Sequence, residues 1–167
     1  MKSFAKLFSP KGILRASINV GNPILANLNP AGKPVGISVD LATELAQQLG
    51  LPLELVVFDS AGKSVDTVTQ EKADVGFFAI DPARKGLHFT APYLLISGSY
   101  IVRTTSPLKN NSEVDKKGTR LVVSKDSAYD LYLTRVIKNA TIVRAPTCGE
   151  VVDTFLNQGY EVAGGVT

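Results

Sequence analysis

Apolar and polar residues alternate over residues 14–20 (LRASINV) and give way to Gly21, Asn22 and Pro23, a pattern that predicts a short strand running into a loop. A polar turn over residues 29–34 follows. Beyond it Ser38 precedes Val39, Leu41, Ala42, Leu45, Ala46 and Leu49, an apolar stripe at helical spacing that stops at Gly50. Residues 51–58 then read as a strand, 61–70 as a helix and 74–80 as a largely buried strand. Strands alternating with helices in this way predict a parallel sheet covered on both faces.

After a turn over residues 82–86, residues 88–103 (HFTAPYLLISGSYIVR) carry no helical period and are expected to form an extended connector. Residues 104–119 are polar and broken by Pro107, Asn110, Asn111 and Gly118. The alternation then restarts, with a strand over 120–123, a helix over 127–138, a strand over 141–144, a helix over 147–158 and a strand over 161–166. The expected fold class is therefore α/β in two lobes: an N-terminal extension over residues 1–11, a first lobe over 12–103 and a second over 104–167. A last strand at 161–166 needs neighbours on both sides, so the second lobe reads as incomplete at its C-terminal end. No repeat is visible in the sequence.

Composition narrows the function classes. The chain has 167 residues, 44% of them hydrophobic, and a chain of that size removes roughly 70% of its unfolded surface from water without help from disulfides or metal. One cysteine, Cys148, and one histidine, His88, exclude an intrachain disulfide and a four-ligand Cys/His zinc centre, so neither a metal nor another cofactor is expected. The formal charge of +3, from 18 basic and 15 acidic residues, is spread without the basic stripe that nucleic acid demands. The longest apolar run, residues 75–80, is far short of the ~20 residues of a membrane helix. Residues 1–11 are basic but lack the apolar core of a cleavable signal behind them.

Several motifs offer chemistry. Gly62-Lys63-Ser64 follows a strand and opens a helix as a phosphate-binding loop does, but Val57 stands where the first loop glycine must be and Asp59 adds a negative charge; a plain helix start is the expectation. His88 beside Phe89 reads as a partly buried structural histidine, and Cys148 as a small buried residue near a helix start. No Gly-x-Ser-x-Gly nucleophile motif occurs. Arg84 is the stronger candidate, because it follows an apolar strand at its C-terminal end, where α/β sheets bind ligands, and a guanidinium can hold a carboxylate by two parallel hydrogen bonds. Ser127 and Asp130 are spaced as a capping box with Asp in place of Glu, at a helix start whose amides form a natural anion seat.

The ordered strings GISVDLA (36–42), ADV (73–75), DPARK (81–85) and FTAPY (89–93) resemble the amino-acid-type bacterial solute-binding proteins, family 3, in a likeness that runs over nearly the whole chain, from about Leu14 to Thr167. The resemblance implies a hinged, two-lobed type II periplasmic-binding-protein fold, in the periplasm, that captures a small anionic or zwitterionic solute and hands it to the permease of an ABC importer. It implies a monomer with no membrane segment of its own, a hinge crossover at 99–105, and a chain that stops before the family's usual return across the hinge. By the same likeness Arg84 is the ligand-carboxylate arginine, and Ser127 and Ala128 are the second-lobe helix start that binds the same carboxylate. Asn22 and Leu25 line the pocket from the first loop, and Ala79, Ile80 and Asp81 precede the arginine.

Three departures from the family pattern stand out. Leu25 replaces a usual aromatic, the stretch before Arg84 is about two residues short, and the aspartate that usually meets an α-amino group falls near Thr167. Asp81 is the expected substitute for that charge. The rival expectations are a dehydratase on prephenate- or arogenate-like substrates, with Asp81, Glu161 or His88 as the acid, and a ligand-sensing domain.

Overall fold

The computed structural model describes residues 2–166, with the backbone alone for residues 2–4. It divides into two compact units, Met1–Ala79 and Ile80–Thr167. The first contains α1 (Lys2–Phe8), β1 (Leu14–Asn19), the short pair β2 (Asn27–Leu28) and β3 (Pro34–Val35), α2 (Ile37–Leu49), β4 (Leu53–Phe58), α3 (Ala61–Thr69) and β5 (Val75–Gly76). β1 lies between β4 and β5, parallel to both, while β2 and β3 pair antiparallel. The period of two in β1 decides what each face meets. Ala16 and Ile18 join Ala26 and Ala42 in a core under α2, with Val39, Leu53 and Leu55 packed around it. On the opposite face Ser17 Oγ meets Ser64 Oγ of α3 at 2.7 Å and donates to the Ser64 carbonyl at 2.9 Å, so two buried hydroxyls satisfy each other.

The second unit contains β6 (Gly98–Ile101), a 3-10 turn (Asn111–Glu113), β7 (Arg120–Ser124), α4 (Ala128–Val136), β8 (Thr141–Ala145), α5 (Glu150–Asn157) and β9 (Val162–Val166). Its sheet runs β6-β9-β7-β8, with β6 antiparallel to β9 and the remaining pairs parallel. β9 thus has the two neighbours that its buried sequence requires. β7 is covered on both faces: Leu121 and Val123 pack with Leu133 of α4 and with Val162, and Val122 packs with Val151 and Phe155 of α5.

Both units follow one plan that the sequence conceals. Each is strand, helix, strand, helix, strand, with the first strand in the middle, and each closes the N-terminal edge of that strand with an arginine–carboxylate clasp. In the first unit, the backbone amide and Nε of Arg15 donate to Asp74 Oδ2 at 2.8 and 3.1 Å, and Nη2 reaches Oδ1 at 2.6 Å. Nη1 and Nη2 also cap the carbonyls of Lys72 and Glu71. In the second, the backbone amide and Nε of Arg120 donate to Glu161 Oε2 at 2.8 and 3.0 Å, Nη2 to Oε1 at 2.6 Å, and Nη2 also to the Gly159 carbonyl. Each carboxylate stands one residue before the third strand of its unit, so the clasp fixes where that strand enters the sheet.

Several expectations are corrected. The strand expected over 74–80 shrinks to Val75–Gly76, and the connector expected over 88–103 is strand only at Gly98–Ile101, where β9 supplies a partner. The two compact units meet at Ala79/Ile80, while the expectation places the lobe boundary at 103/104, after the connector. α2 begins at Ile37, so Ser38 is a buried first-turn residue and Gly36 precedes the helix. Gly36 has φ 117°, and a Cβ there would lie 2.8 Å from the Leu25 carbonyl oxygen, which explains the glycine. Residues 1–11 have no expected element, yet α1 forms and lies against α2.

The Asp74 side chain is 8% exposed and that of Arg15 15%. Removing one partner of so enclosed a pair strands the other charge, so Asp74→Asn is expected to lower stability by about 3 kcal/mol, read as a fall in the urea midpoint at unchanged slope.

Candidate functional site

The arginine–carboxylate clasps hold the N-terminal edges of the sheets; the C-terminal edge of the second unit carries the candidate site, as α/β architecture leads one to expect. β7 ends at Ser124, and three residues later Ser127 caps α4 with extended backbone, its Oγ accepting from the Asp130 amide at 3.2 Å. The Asp130 carboxylate, 2% exposed as a residue, accepts from the Asp126 amide at 2.9 Å, from Arg144 Nε and from the Thr134 hydroxyl. The expected capping box therefore forms with a shifted return bond, which lands on Asp126 rather than on Ser127. Asp126 accommodates this with φ 58°. The amides of Ala128 and Tyr129, in the first turn of α4, have no intrahelical acceptor and lie at the positive end of the helix dipole.

Arg84 is 9% exposed and sits on a tight loop in which its own amide donates to the Asp81 carbonyl at 3.0 Å and the Ala83 amide to Asp81 Oδ1 at 2.8 Å. The loop is tied to α4. Arg135, in the last turn of that helix, forks onto Asp81 with Nη1–Oδ1 3.0 Å and Nη2–Oδ2 2.8 Å. These hydrogen bonds from Arg135 hold the Asp81 carboxyl below its ordinary range, with the Ala83 amide and the charge of Arg84 acting the same way against the effect of burial. Burial lowers the Arg84 pKa, and Asp81 and Asp126 oppose the shift.

Of the residues singled out in the sequence, Ile80, Asp81, Arg84, Ser127 and Ala128 fall in the second unit, and the Asp81–Arg135 fork links the Arg84 loop to the helix that Ser127 caps. Asn22, Leu25 and Ala79 fall in the first. Asn22 organises its own loop, its carbonyl accepting from the amides of Leu25 and Ala26 at 3.0 Å each and its Oδ1 from Ile24. Ala79 and Ile80 are exposed. Thr167, near which the family's aspartate falls, lies outside the described residues. Sequence reasoning missed Arg135 and Asp126: the first is 54 residues from its partner, and the second takes the return bond of the cap one residue before the position expected.

The remaining motifs resolve structurally. Lys63 pairs with Asp59 at 3.2 Å, and the Ser64 hydroxyl is enclosed against Ser17, so neither is poised for phosphate. His88 is exposed and outside any strand, in contrast to the partly buried strand position expected of it, because residues 86–97 leave the sheet. Cys148 is half-buried; its thiol donates to Ser124 Oγ at 3.3 Å and accepts from the Tyr129 hydroxyl at 3.8 Å. Burial pushes that tyrosine well above its ordinary value. Among the described residues no cluster of three or more metal-ligating side chains occurs, and no helix is long and apolar enough to cross a membrane.

Glu161 titrates at about 2, drawn down first by its hydrogen bonds from the Arg120 side chain. Because an unfolded glutamate titrates near ~4.3, the unfolded chain binds this proton first as pH falls. The stabilisation it provides is complete above about pH 5 and drains away as pH falls towards 2. Glu161→Gln should therefore flatten the acid limb of the stability–pH curve in that window, as measured by thermal melts from pH 2 to 7; an unchanged limb would contradict the assignment.

Comparison with known proteins places this arrangement. The chain resembles the crystal structure of an ancestral amino-acid-binding protein, AncCDT-1, a precursor of cyclohexadienyl dehydratase, with a TM-score of 0.83 at 18% identity over 98% of this chain and 75% of that one. It resembles the putative binding component of an ABC transporter from Wolinella succinogenes DSM 1740 complexed with lysine, with a TM-score of 0.79 at 25% identity over 93% and 69%. It also resembles the arginine-bound form of truncated ArgBP from T. maritima, with a TM-score of 0.82 at 20% identity over 97% and 77%. No curated protein matches the sequence. The fold is thus that of the type II periplasmic-binding proteins. The profile of the bacterial extracellular solute-binding proteins, family 3, matches residues 14–146, and the chain belongs to that family.

Proposed function

We propose that this chain is the solute-binding component of an ABC importer, working in the periplasm as a monomer, and that it captures an amino acid or a related small carboxylate. The observation that supports this best is the placement of Arg84. A guanidinium 9% exposed is held on a loop that the Asp81–Arg135 fork ties to α4, the helix whose first-turn amides lack intrahelical acceptors. Burial strengthens such a cation's attraction for a carboxylate, and helix-start amides add donors without a counter-charge. Lysine and arginine in two of the similar structures support an amino acid as the solute class. Ser127 and Ala128 are assigned to the carboxylate with Arg84, and Ile80 and Asp81 flank it. Asn22, Leu25 and Ala79 enter this reading through the family resemblance. Uptake then works by closure, in which a solute raises the closed population only as far as it prefers that state.

The dehydratase reading requires a proton donor at neutral pH, and the residues considered for that role suit it poorly. Asp81 and Glu161 are both held ionised by arginine forks, and His88 is exposed on an irregular segment.

A bidentate charge-assisted contact is worth about 1.5–3 kcal/mol. Arg84→Ala is therefore expected to weaken binding of the captured amino acid by about ten- to 150-fold in calorimetry. A variant that binds like the wild type would remove Arg84 from the site.

A further inference from the structure

We infer that α1 docks this protein on an anionic lipid surface, with Leu7 entering the bilayer interface and Lys6 and Lys11 meeting the headgroup phosphates. Such docking is independent of solute capture. One face of α1 is turned inward: Ala5 and Ser9, one helical turn apart, are 7% and 1% exposed, and the Ser9 amide extends the helix by donating to the Ala5 carbonyl at 2.8 Å. At about 100° per residue, Leu7 falls opposite that face, and it is 78% exposed. Lys6 and Phe8 flank it, both exposed. A leucine turned outward there buries nothing within the fold, so its apolar surface is left for a partner.

Charge complementarity identifies that partner. Residues 1–39 contain Lys2, Lys6, Lys11, Arg15 and Lys33 and no acid; the first in the chain is Asp40. Arg15 is taken up by Asp74, whereas Lys6 and Lys11 make no ion pair among the described residues. Both lysines line a groove of about 590 Å³ between α1 and the end of α2 at residues 47–51, and no acid lines it. Glu44, the last acid of α2, accepts from the Gln48 side chain at 2.8 Å. A protruding apolar residue with cations beside it matches the boundary between phosphates and acyl chains, where the charges meet phosphate and the leucine leaves water. An acidic protein satisfies the lysines but gives Leu7 no apolar medium. At seven residues α1 is far too short to span a bilayer, so it lies on the surface.

The experiment sediments the intact chain with vesicles of phosphatidylcholine alone and with vesicles in which about a third of the lipid is phosphatidylglycerol, at low and at high salt. Wild type should bind the anionic vesicles at least about tenfold better than the neutral ones, and salt should erode the difference. Each lysine near such a surface is worth about fivefold, so Lys6→Gln combined with Lys11→Gln should weaken binding about 25-fold. The chain contains no tryptophan, and Leu7→Trp therefore supplies a single reporter whose emission should shift to the blue on anionic vesicles. Equal binding to both vesicles, full binding by the double lysine variant, or an unshifted emission would each overturn the docking. Tighter binding to polyglutamate than to the anionic vesicles would assign the lysines to an acidic protein and overturn it too.

Discussion

Each unit rests on an arginine that grips a carboxylate across the N-terminal edge of its sheet. Parallel strands cannot be joined by a tight turn, so every crossover returns the chain over a helix and must be told where to re-enter. Arg15 with Asp74 and Arg120 with Glu161 supply that instruction, since each acid stands one residue before the third strand and each guanidinium also caps loop carbonyls. With that edge fixed by charge, the C-terminal edge of the second unit is left for short polar loops and helix starts. Ser124, Asp126, Ser127 and Cys148 all lie there.

The same division of labour extends into α4. Its first turn offers unaccepted amides, while its last turn carries Arg135, which holds Asp81 and with it the loop of Arg84. One short helix thus carries the helix-start amides and positions the arginine loop. The arrangement places a buried cation within range of two acids of different accessibility, Asp81 enclosed and engaged, Asp126 exposed.

Much of this was legible in the sequence where local rules govern. The stripe from Val39 to Leu49 ends at Gly50, which has φ 65° and terminates α2, and the apolar run at β7 reads directly as a strand. The Ser127 cap was legible from its spacing to Asp130. What could not be read depends on partners far along the chain. Strand structure over 74–80 requires a neighbour as well as propensity, and pairing with β1 covers only Val75 and Gly76. The fork between Asp81 and Arg135 leaves no local trace, and the kinship of the two units is invisible because Ala16, Ser17 and Ile18 stand where the second unit has Leu121, Val122 and Val123. Ala16 and Ser17 in one against Leu121 and Val122 in the other build the same topology around different cores.

The two clasps differ in one respect. The side chains of Arg15 and Asp74 are 15% and 8% exposed, those of Arg120 and Glu161 44% and 38%. Dissolved ions screen charges that face water and scarcely touch those that do not. Ionic strength therefore acts unequally on two copies of one plan: brine loosens the later βαβ module at its strand entry while the earlier one keeps its grip.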